Sequence, residues 1–220
     1  QPPQEKITIL THDGKKNAMN SQIITGLKAN VAIKSKTFYI IWLTLFINIS
    51  CGLGLISAAS PMAQDLAGYS AESAALLVGV LGIFNGFGRL LWASLSDYIG
   101  RPLTFIILFI VNFIMTSSLF LSFNAIVFAI AMSILMTCYG AGFSLLPAYL
   151  SDIFGTKELA TLHGYSLTAW AIAGLFGPLL LSKTYSWGNS YQLTLMVFGF
   201  LFLFGLLLSL YLRKLTTKVV

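Results

Sequence analysis

Charged residues are scarce in this chain: only 9% of its 220 residues are Asp, Glu, Lys or Arg, whereas 57% are hydrophobic. Soluble globular domains contain about 25% charged residues, so the composition excludes an ordinary soluble domain. Cysteine is also rare. The two cysteines, Cys51 and Cys138, lie within apolar runs, which excludes a disulfide framework or a zinc site and indicates packing residues. The class that remains is a membrane protein.

Long apolar runs make up most of the chain. A helix needs about 20 mostly apolar residues to cross roughly 30 Å of hydrocarbon. Six segments meet this requirement: 38–62, 74–96, 103–121, 125–149, 159–182 and 191–212. Backbone groups in lipid must be hydrogen-bonded within their own segment, and the runs do not alternate with a period of two. The sequence therefore predicts an all-α membrane protein with six transmembrane helices.

Basic residues lie mostly on one side of these spans. We divide the chain into a basic tail at 1–36, a six-helix bundle at 37–214 and a short tail at 215–220. The side of the tails carries Lys6, Lys15, Lys16, Lys28, Lys34, Lys36, Arg101, Lys157, Arg213, Lys214 and Lys218, whereas the other side has Lys183 with Asp65 and Glu72. Because basic loops favour the cytoplasm, we predict a multi-pass protein of the plasma or inner membrane with both termini cytoplasmic.

The basic residues lie at the ends of the spans, where the lipid bilayer is their partner. Membrane topology therefore explains the net charge of +6, and no nucleic-acid partner is expected. The first residues are polar, so no cleavable signal peptide is expected. The opening "QPPQEK" favours a piece of a longer protein.

Acidic residues are missing from all six spans. An embedded enzyme would need paired carboxylates, a serine–histidine pair or a histidine cluster at membrane depth. Only Arg89 and His163 are available there. The sequence therefore predicts no enzyme, no metal site and no cofactor.

Two loops on the predicted cytoplasmic side repeat one pattern. The second span ends in "LSDYIGR" at 95–101, and the fourth ends in "LSDIFGTK" at 150–157. Each combines a helix-terminal aspartate, Asp97 or Asp152, with a glycine and a basic residue. A glycine after a helix permits a left-handed turn, and the aspartate can pair with the basic residue or with a helix N-terminus. The repeat suggests a three-plus-three arrangement, although each copy is also consistent with an ordinary helix end.

The first loop, "ASLSDYIGR", resembles the loop signature of the major facilitator superfamily. Asp97, Gly100 and Arg101 match the signature, whereas Ala93 replaces its first glycine and a proline follows where a second basic residue is common. The resemblance implies a twelve-helix carrier of which this chain is the C-terminal six-helix half, with the missing N-terminal half as its partner. It also implies that these loop residues, and Asp152 in the repeat, latch the halves together during gating.

Longer segments resemble one branch of that superfamily. "NGFGRLLWASLSDYIGR" and "YGAGFSLLPAYLSDIFGTKELATLHGYSLTAWAIAGLFGP" are similar to the oxalate:formate antiporter family and, more distantly, to monocarboxylate transporters. The resemblance implies a secondary active transporter, an antiporter or a symporter, that moves small organic anions by alternating access. A channel or a non-transporting membrane receptor of the same fold is the alternative.

One charged residue lies inside the second span. Arg89 has no acidic residue within seven positions on either side. It precedes Asp97 by about 12 Å of helix, at a depth where an ionised group costs several kcal/mol unless it meets water or a partner. Three interpretations are open: snorkelling to the headgroups, an ion pair with an acid outside this sequence, or a site where the guanidinium binds a carboxylate through two hydrogen bonds.

The resemblance favours the anion site, since related carriers contact their substrate through an arginine of the same helix. Asn85 lies one turn earlier on the same face and could bond to the guanidinium or to the ligand. Small residues of the same span, Gly79, Gly82, Gly86 and Ala93, are expected to let another helix approach closely.

A second cation of the family's dicarboxylate pattern is absent. In "LTAWAIAG", Trp170 stands where that pattern has a lysine. One fixed cation favours one carboxylate, so lactate, pyruvate, formate or a similar monocarboxylate is expected, with Trp170 as an apolar wall. Oxalate or another dicarboxylate is the alternative, and Trp170 is equally consistent with a packing residue.

Two further residues are candidates. Tyr139, in the middle of the fourth span and beside the two glycines of "CYGAGF", could line a cavity. His163 could couple proton movement to transport because histidine titrates near physiological pH, although a histidine at a helix end is commonly interfacial.

Overall fold

The computed structural model describes residues 26–121 and 124–217, and these are almost entirely helical. The helices are α1 (Ala29–Ala32), α2 (Lys36–Ser57), α3 (Ala59–Ala67), α4 (Ala71–Ile99), α5 (Arg101–Leu121), α6 (Ala125–Phe154), α7 (Leu159–Gly188) and α8 (Tyr191–Thr217). Six of them, α2 and α4 to α8, are long and apolar enough to cross a membrane. The prediction of six spans is therefore confirmed. Most of the predicted basic tail, with Lys6, Lys15 and Lys16, lies outside the described residues, as does Lys218.

The first predicted span, 38–62, is not one continuous helix. It divides at Ala58, whose φ of −116° and ψ of 13° depart from helical values. Pro61 explains the break, because proline has no N–H to donate to the carbonyl four residues earlier. That carbonyl belongs to Ser57, whose own hydroxyl donates to the carbonyl of Gly54 at 2.7 Å.

The helices also extend beyond the predicted apolar runs. The polar sequences at 95–99 and 150–154 are helical, and α7 continues through most of "SKTYSWGNS" to Gly188. Asn189, with φ of +47°, ends it. Hydropathy marks the length that hydrocarbon surrounds, and a helix can continue into the polar interface beyond it.

Three helix pairs form the bundle: α4 with α6, α2 with α7, and α5 with α8. A glycine allows close approach in each pair. A Cβ at Gly88 would overlap the backbone of Thr137, one at Gly177 would overlap the carbonyl of Ser50, and one at Gly205 would overlap the ring of Phe109. The bundle therefore depends on backbones that approach more closely than side chains would permit.

The predicted close approach at Gly79, Gly82 and Gly86 is not present in the described part of the chain. A Cβ at any of these glycines would meet no atom within 4 Å. Helix α4 packs on α6 through Gly88 instead, which lies on a different face. The stripe of small residues is consequently an open surface of α4.

Polar residues inside the spans bond to other helices or to their own backbone. The amide of Asn48 in α2 donates to the carbonyl of Cys138 in α6 at 3.2 Å, and the amide of Asn112 in α5 donates to Asn48 Oδ1 at 3.2 Å. Ser144 and Ser166 bond to carbonyls of their own helices. Cys51 and Cys138 are buried free thiols, as predicted for packing residues.

Candidate functional site

Residues from three helices meet at one depth. Arg89 lies ten residues before the end of α4, Phe143 lies eleven before the end of α6, and Trp170 lies eleven after the start of α7. At about 1.5 Å per residue, each is about 15–17 Å from the end of the bundle that carries Gly100 and Gly155. We call this end the signature end. The three side chains lie within membrane-spanning helices.

Arg89 packs on an aromatic ring. Its guanidinium carbon is 5.1 Å from the centroid of the Phe143 ring, a cation–π contact. Its Nη2 lies 3.5 Å from Asn85 Oδ1, and the Asn85 amide donates to the carbonyl of Met136 at 3.4 Å. Because Phe143 is at the same depth, the guanidinium stays at that depth and does not extend toward the headgroups.

No carboxylate pairs with Arg89 among residues 26–121 and 124–217, where the ion pairs found join Arg101 to two aspartates. The side chain of Arg89 is exposed in this chain. Its cation therefore has an aromatic face and a weak amide contact, and its N–H groups remain accessible to an anion.

Phe143 connects the predicted residues. Its ring makes edge contacts with Tyr139 at 5.9 Å and with Trp170 at 6.0 Å between centroids. The same ring also contacts the Arg89 guanidinium, so Phe143 lies between Arg89, Tyr139 and Trp170. The structure thus brings Arg89, Asn85, Tyr139 and Trp170 together around a residue that sequence analysis did not single out. The available signal was its spacing, four residues after Tyr139 on one helical face.

Glycines allow this cluster to form. A Cβ at Gly140 would overlap the backbone carbonyl of Asn85, so this glycine lets α4 approach α6 closely beside Arg89. A Cβ at Gly52 would lie within 2.8 Å of the Tyr139 ring, so α2 also fits against that tyrosine.

A second aromatic group lies between α2 and α7, closer to the signature end. Trp42 Nε1 donates to Thr168 Oγ1 at 2.9 Å, and the Trp42 indole stacks on Phe46 with centroids 5.5 Å apart. Phe46 in turn contacts Phe176 at 5.2 Å. Trp42 does not stand out in the sequence, because an aromatic residue in an apolar run has no distinguishing pattern.

His163 lies apart from the cluster. It precedes Trp170 by seven residues, which is about 10 Å along α7 toward the signature end. The side chain is half-buried, and its Nδ1 has no hydrogen-bond partner within the part of the chain that the structure describes. Its role in proton coupling stays a prediction.

The two repeated loops have the same backbone geometry. Gly100 and Gly155 have φ of +86° and +82°, and their amides donate to the carbonyls of Ser96 and Ser151. Both glycines have the positive φ expected after the second and fourth spans. Their ψ values of 147° and −179° lie outside the left-handed helical region, so the predicted left-handed turn does not form.

Arg101 joins these two loops. Its guanidinium lies 2.5 Å from Asp97 and 3.7 Å from Asp152, and it also donates to the hydroxyl of Ser96. The pairing of an aspartate with the basic residue is thus present, and one arginine serves both copies. Both carboxylates are about 60% exposed, so solvent screens the pairs and each contributes little to stability. The predicted latch between two halves stays a prediction.

The described residues contain no group of three or more metal-binding side chains. An apolar groove of about 370 Å³ lies between α5 and α8, lined by residues such as Phe113, Phe120 and Phe200. No charged side chain lines it. The Arg89 cluster is therefore the better candidate for binding an anion.

Known proteins match this chain over most of its length. Residues 41–219 match the family model described as Major Facilitator Superfamily. The chain is 27% identical over 194 residues to the oxalate:formate antiporter of Oxalobacter formigenes, an alignment that covers 84% of the chain and 46% of the antiporter. It is 32% identical over 125 residues to the uncharacterized MFS-type transporter YhjX of Escherichia coli (strain K12), covering 56% of the chain and 31% of YhjX.

A mammalian protein is also similar. Monocarboxylate transporter 14 of Mus musculus is 26% identical over 136 residues, covering 61% of the chain and 26% of the transporter. The chain spans less than half the length of each of these three relatives. The resemblance seen in the sequence is confirmed, and members of the matched family are transporters rather than enzymes. With its family match over more than half the chain and its six membrane-spanning helices, the chain belongs to the Major Facilitator Superfamily.

Proposed function

We propose that this chain is the C-terminal half of a secondary active transporter that binds a short monocarboxylate at Arg89. The observation that carries the proposal is the position of Arg89 within a membrane span, packed on Phe143 and free of any carboxylate partner in the described ranges. An ionised side chain at this depth requires water or an opposite charge. A substrate anion supplies that charge when it binds.

The geometry of the guanidinium suits a carboxylate. The guanidinium carbon lies over the Phe143 ring and the Arg89 side chain is otherwise exposed, so donors on the edge of the guanidinium are available to a ligand. A carboxylate accepts two parallel hydrogen bonds from such an edge. Tyr139 lies beside this group, because its ring contacts the Phe143 ring on which the guanidinium packs.

The composition of the cluster favours one carboxylate over two. Arg89 is the cation of the cluster, and Trp170 presents an indole where a second cation would pair with a second carboxylate. An aromatic wall suits the short carbon skeleton of lactate or pyruvate and tolerates formate. The names of the relatives support a carboxylate substrate. Similarity to the oxalate:formate antiporter over 84% of the chain makes exchange of a dicarboxylate the second candidate.

Two of the three helices that carry the cluster, α4 and α7, leave room for another half. The spans of α4 and α7 are the least buried of the six, while those of α2 and α6 are the most buried. We infer that the N-terminal six helices pack on α4 and α7 and complete the site between the two halves. Alternating access then consists of rocking of the halves around the bound anion. The distribution of basic residues favours a cytoplasmic location for both termini, and His163 is the candidate for proton coupling.

Uptake of a panel of radiolabelled acids tests this function. The intact transporter in proteoliposomes is expected to take up lactate, pyruvate and formate with saturation and mutual competition, and oxalate more weakly. Acceleration by an imposed proton gradient indicates symport, whereas dependence on internal carboxylate indicates exchange. Uptake that does not saturate, or that favours neutral solutes, contradicts the proposal.

Substitution of Trp170 tests the basis of selectivity. Trp170→Lys supplies a second cation near Arg89, so the ratio of oxalate to lactate uptake is expected to rise about tenfold, equivalent to about 1.4 kcal/mol. Trp187→Lys is the matched control, because Trp187 is an exposed tryptophan at the far end of the same helix. An unchanged ratio in Trp170→Lys, with normal lactate uptake, contradicts the assignment of Trp170 to the site.

A further inference from the structure

The residues that precede α2 are tied to the turn between α6 and α7. Gly26 forms an isolated antiparallel bridge with Gly155, and the amide of Leu27 donates to the carbonyl of Phe154 at 2.9 Å. The amide of Ala29 donates to the Glu158 carboxylate at 2.6 Å. We call residues 26–35, which include α1, the strap.

The strap fits closely at its point of contact. Gly26 has φ of +155°, and a Cβ there would lie 2.7 Å from the carbonyl oxygen of Phe154, so only glycine is accommodated. Ala29 and Ala32 are 3% and 0% exposed. The strap is therefore packed against the bundle through these two alanines.

Glu158 stabilises the strap rather than its own helix. It occupies the N-cap position of α7, where a side chain commonly accepts a hydrogen bond from the first turn, but it makes no such bond. Its carboxylate instead accepts from Ala29, 129 positions away in the sequence. A charge-assisted hydrogen bond of this kind is stronger than a neutral one.

The other repeated loop has no such cover. Gly100 has nearly the same φ as Gly155, but the position of a Cβ at Gly100 is open apart from Pro102 at 4.0 Å. The strap is thus not a general consequence of the loop motif. It depends on Gly26 and Glu158, two residues that the repeat does not contain.

The strap connects the two helices that carry the second aromatic group. It leads directly into α2, which carries Trp42, and it is held by the residue that begins α7, which carries Thr168. Along each helix, the hydrogen-bonded pair lies about 9–14 Å from the signature end. Separation of α2 from α7 at this end must stretch either the strap contacts or the strap itself.

We propose that the strap is a clasp that holds the signature ends of α2 and α7 together. Breaking the hydrogen bond from the Ala29 amide to the Glu158 carboxylate releases the clasp. The clasp has two states, closed with this bond made and open with it broken, and the open state lets the two helix ends move apart. This is a conformational device of the chain itself and does not depend on the substrate assigned to Arg89.

Hydrogen exchange and distance measurements on the intact protein in nanodiscs test the clasp. Glu158→Ala is expected to accelerate exchange of the amides at 27–32 about tenfold or more, whereas Glu158→Gln, whose amide oxygen still accepts, changes it less. Gly26→Val breaks the strap from its other side and should have the same effect as Glu158→Ala. Glu72→Ala, which removes an exposed acid from the first turn of α4, is the matched control.

Spin labels report the consequence for the helices. The labels are attached to cysteines introduced at Tyr39 in α2 and Thr161 in α7, two exposed positions. The native Cys51 and Cys138 are buried and should not react with the labelling reagent. In Glu158→Ala and Gly26→Val the distance between labels is expected to lengthen and its distribution to broaden. Wild-type exchange rates in Glu158→Ala overturn the clasp, and so does a released strap with an unchanged label distance. Neither readout uses transport, so failure of the Arg89 site leaves the result interpretable.

Discussion

Replacement of Arg89 by alanine is expected to reduce carboxylate uptake by the intact transporter about 30-fold or more. The variant removes the cation that the substrate pairs with inside the membrane. Truncating one partner of a desolvated charge pair costs about 2–5 kcal/mol, and each 1.4 kcal/mol is a factor of ten. The measurement is initial uptake of labelled lactate and pyruvate over a range of concentrations, to separate effects on KM and maximal rate.

Arg89→Lys separates charge from geometry. Lysine keeps the positive charge but lacks the planar guanidinium fork, which in Arg89 lies over the Phe143 ring. We expect intermediate uptake, mainly through a higher KM. Lys183→Ala, which removes an exposed cation at the opposite end of α7, is the control and should transport normally.

Misfolding would not explain the loss in Arg89→Ala. The substitution removes a costly charge from a membrane span and breaks no ion pair in the described ranges. Its thermal stability in detergent should equal or exceed that of the wild type. Normal uptake by both the alanine and the lysine variant contradicts the anion site.

The membrane architecture could be predicted because its cause is local. A run of apolar residues crosses hydrocarbon wherever the run lies in the chain, so each span follows from its own sequence. The glycines of the two loops were predictable for the same reason, since a positive φ after a helix favours glycine, although the left-handed turn expected there does not form. Helix ends were less predictable, because α4, α6 and α7 continue as helices into polar sequence that hydropathy assigns to loops.

The site could be predicted only where a residue contrasts with its surroundings. Arg89 and Asn85 are polar in an apolar run, so they stand out in the sequence. Phe143 and Trp42 do not, although Phe143 contacts Arg89 and Trp42 bonds to α7. Their role arises from the packing of one helix on another, and that packing depends on distant pairs of residues.

The packing face of α4 is a further feature that the sequence alone does not predict. Its glycines at 79, 82, 86 and 88 offer more than one face for close approach, and spacing alone favours the first three. The structure uses Gly88, whose partner Thr137 lies 49 positions away on α6. The face that is used depends on how α4 and α6 fit together, and the sequence of α4 alone does not determine this fit.

Gly88→Leu is therefore expected to disrupt the bundle, whereas Gly86→Leu, two positions away, is not. A side chain at Gly88 overlaps the Thr137 backbone and forces α4 from α6, at a cost of at least about 1–3 kcal/mol. At Gly86 no atom lies within 4 Å, and loss of a helical glycine is favourable by up to about 1 kcal/mol. The apparent unfolding temperature of the 220-residue chain in detergent should fall by several degrees in the first variant only.

The same pair of variants also locates the missing half. If that half packs on the open glycine face of α4, Gly86→Leu leaves the stability of the chain intact but prevents transport by the full transporter. Gly88→Leu abolishes transport as well, but through displacement of Arg89 from Phe143, since both residues lie where α4 meets α6. Equal loss of stability in the two variants contradicts the observed packing. Full transport by Gly86→Leu instead places the partner elsewhere, because a leucine on a covered face would hold two helices apart.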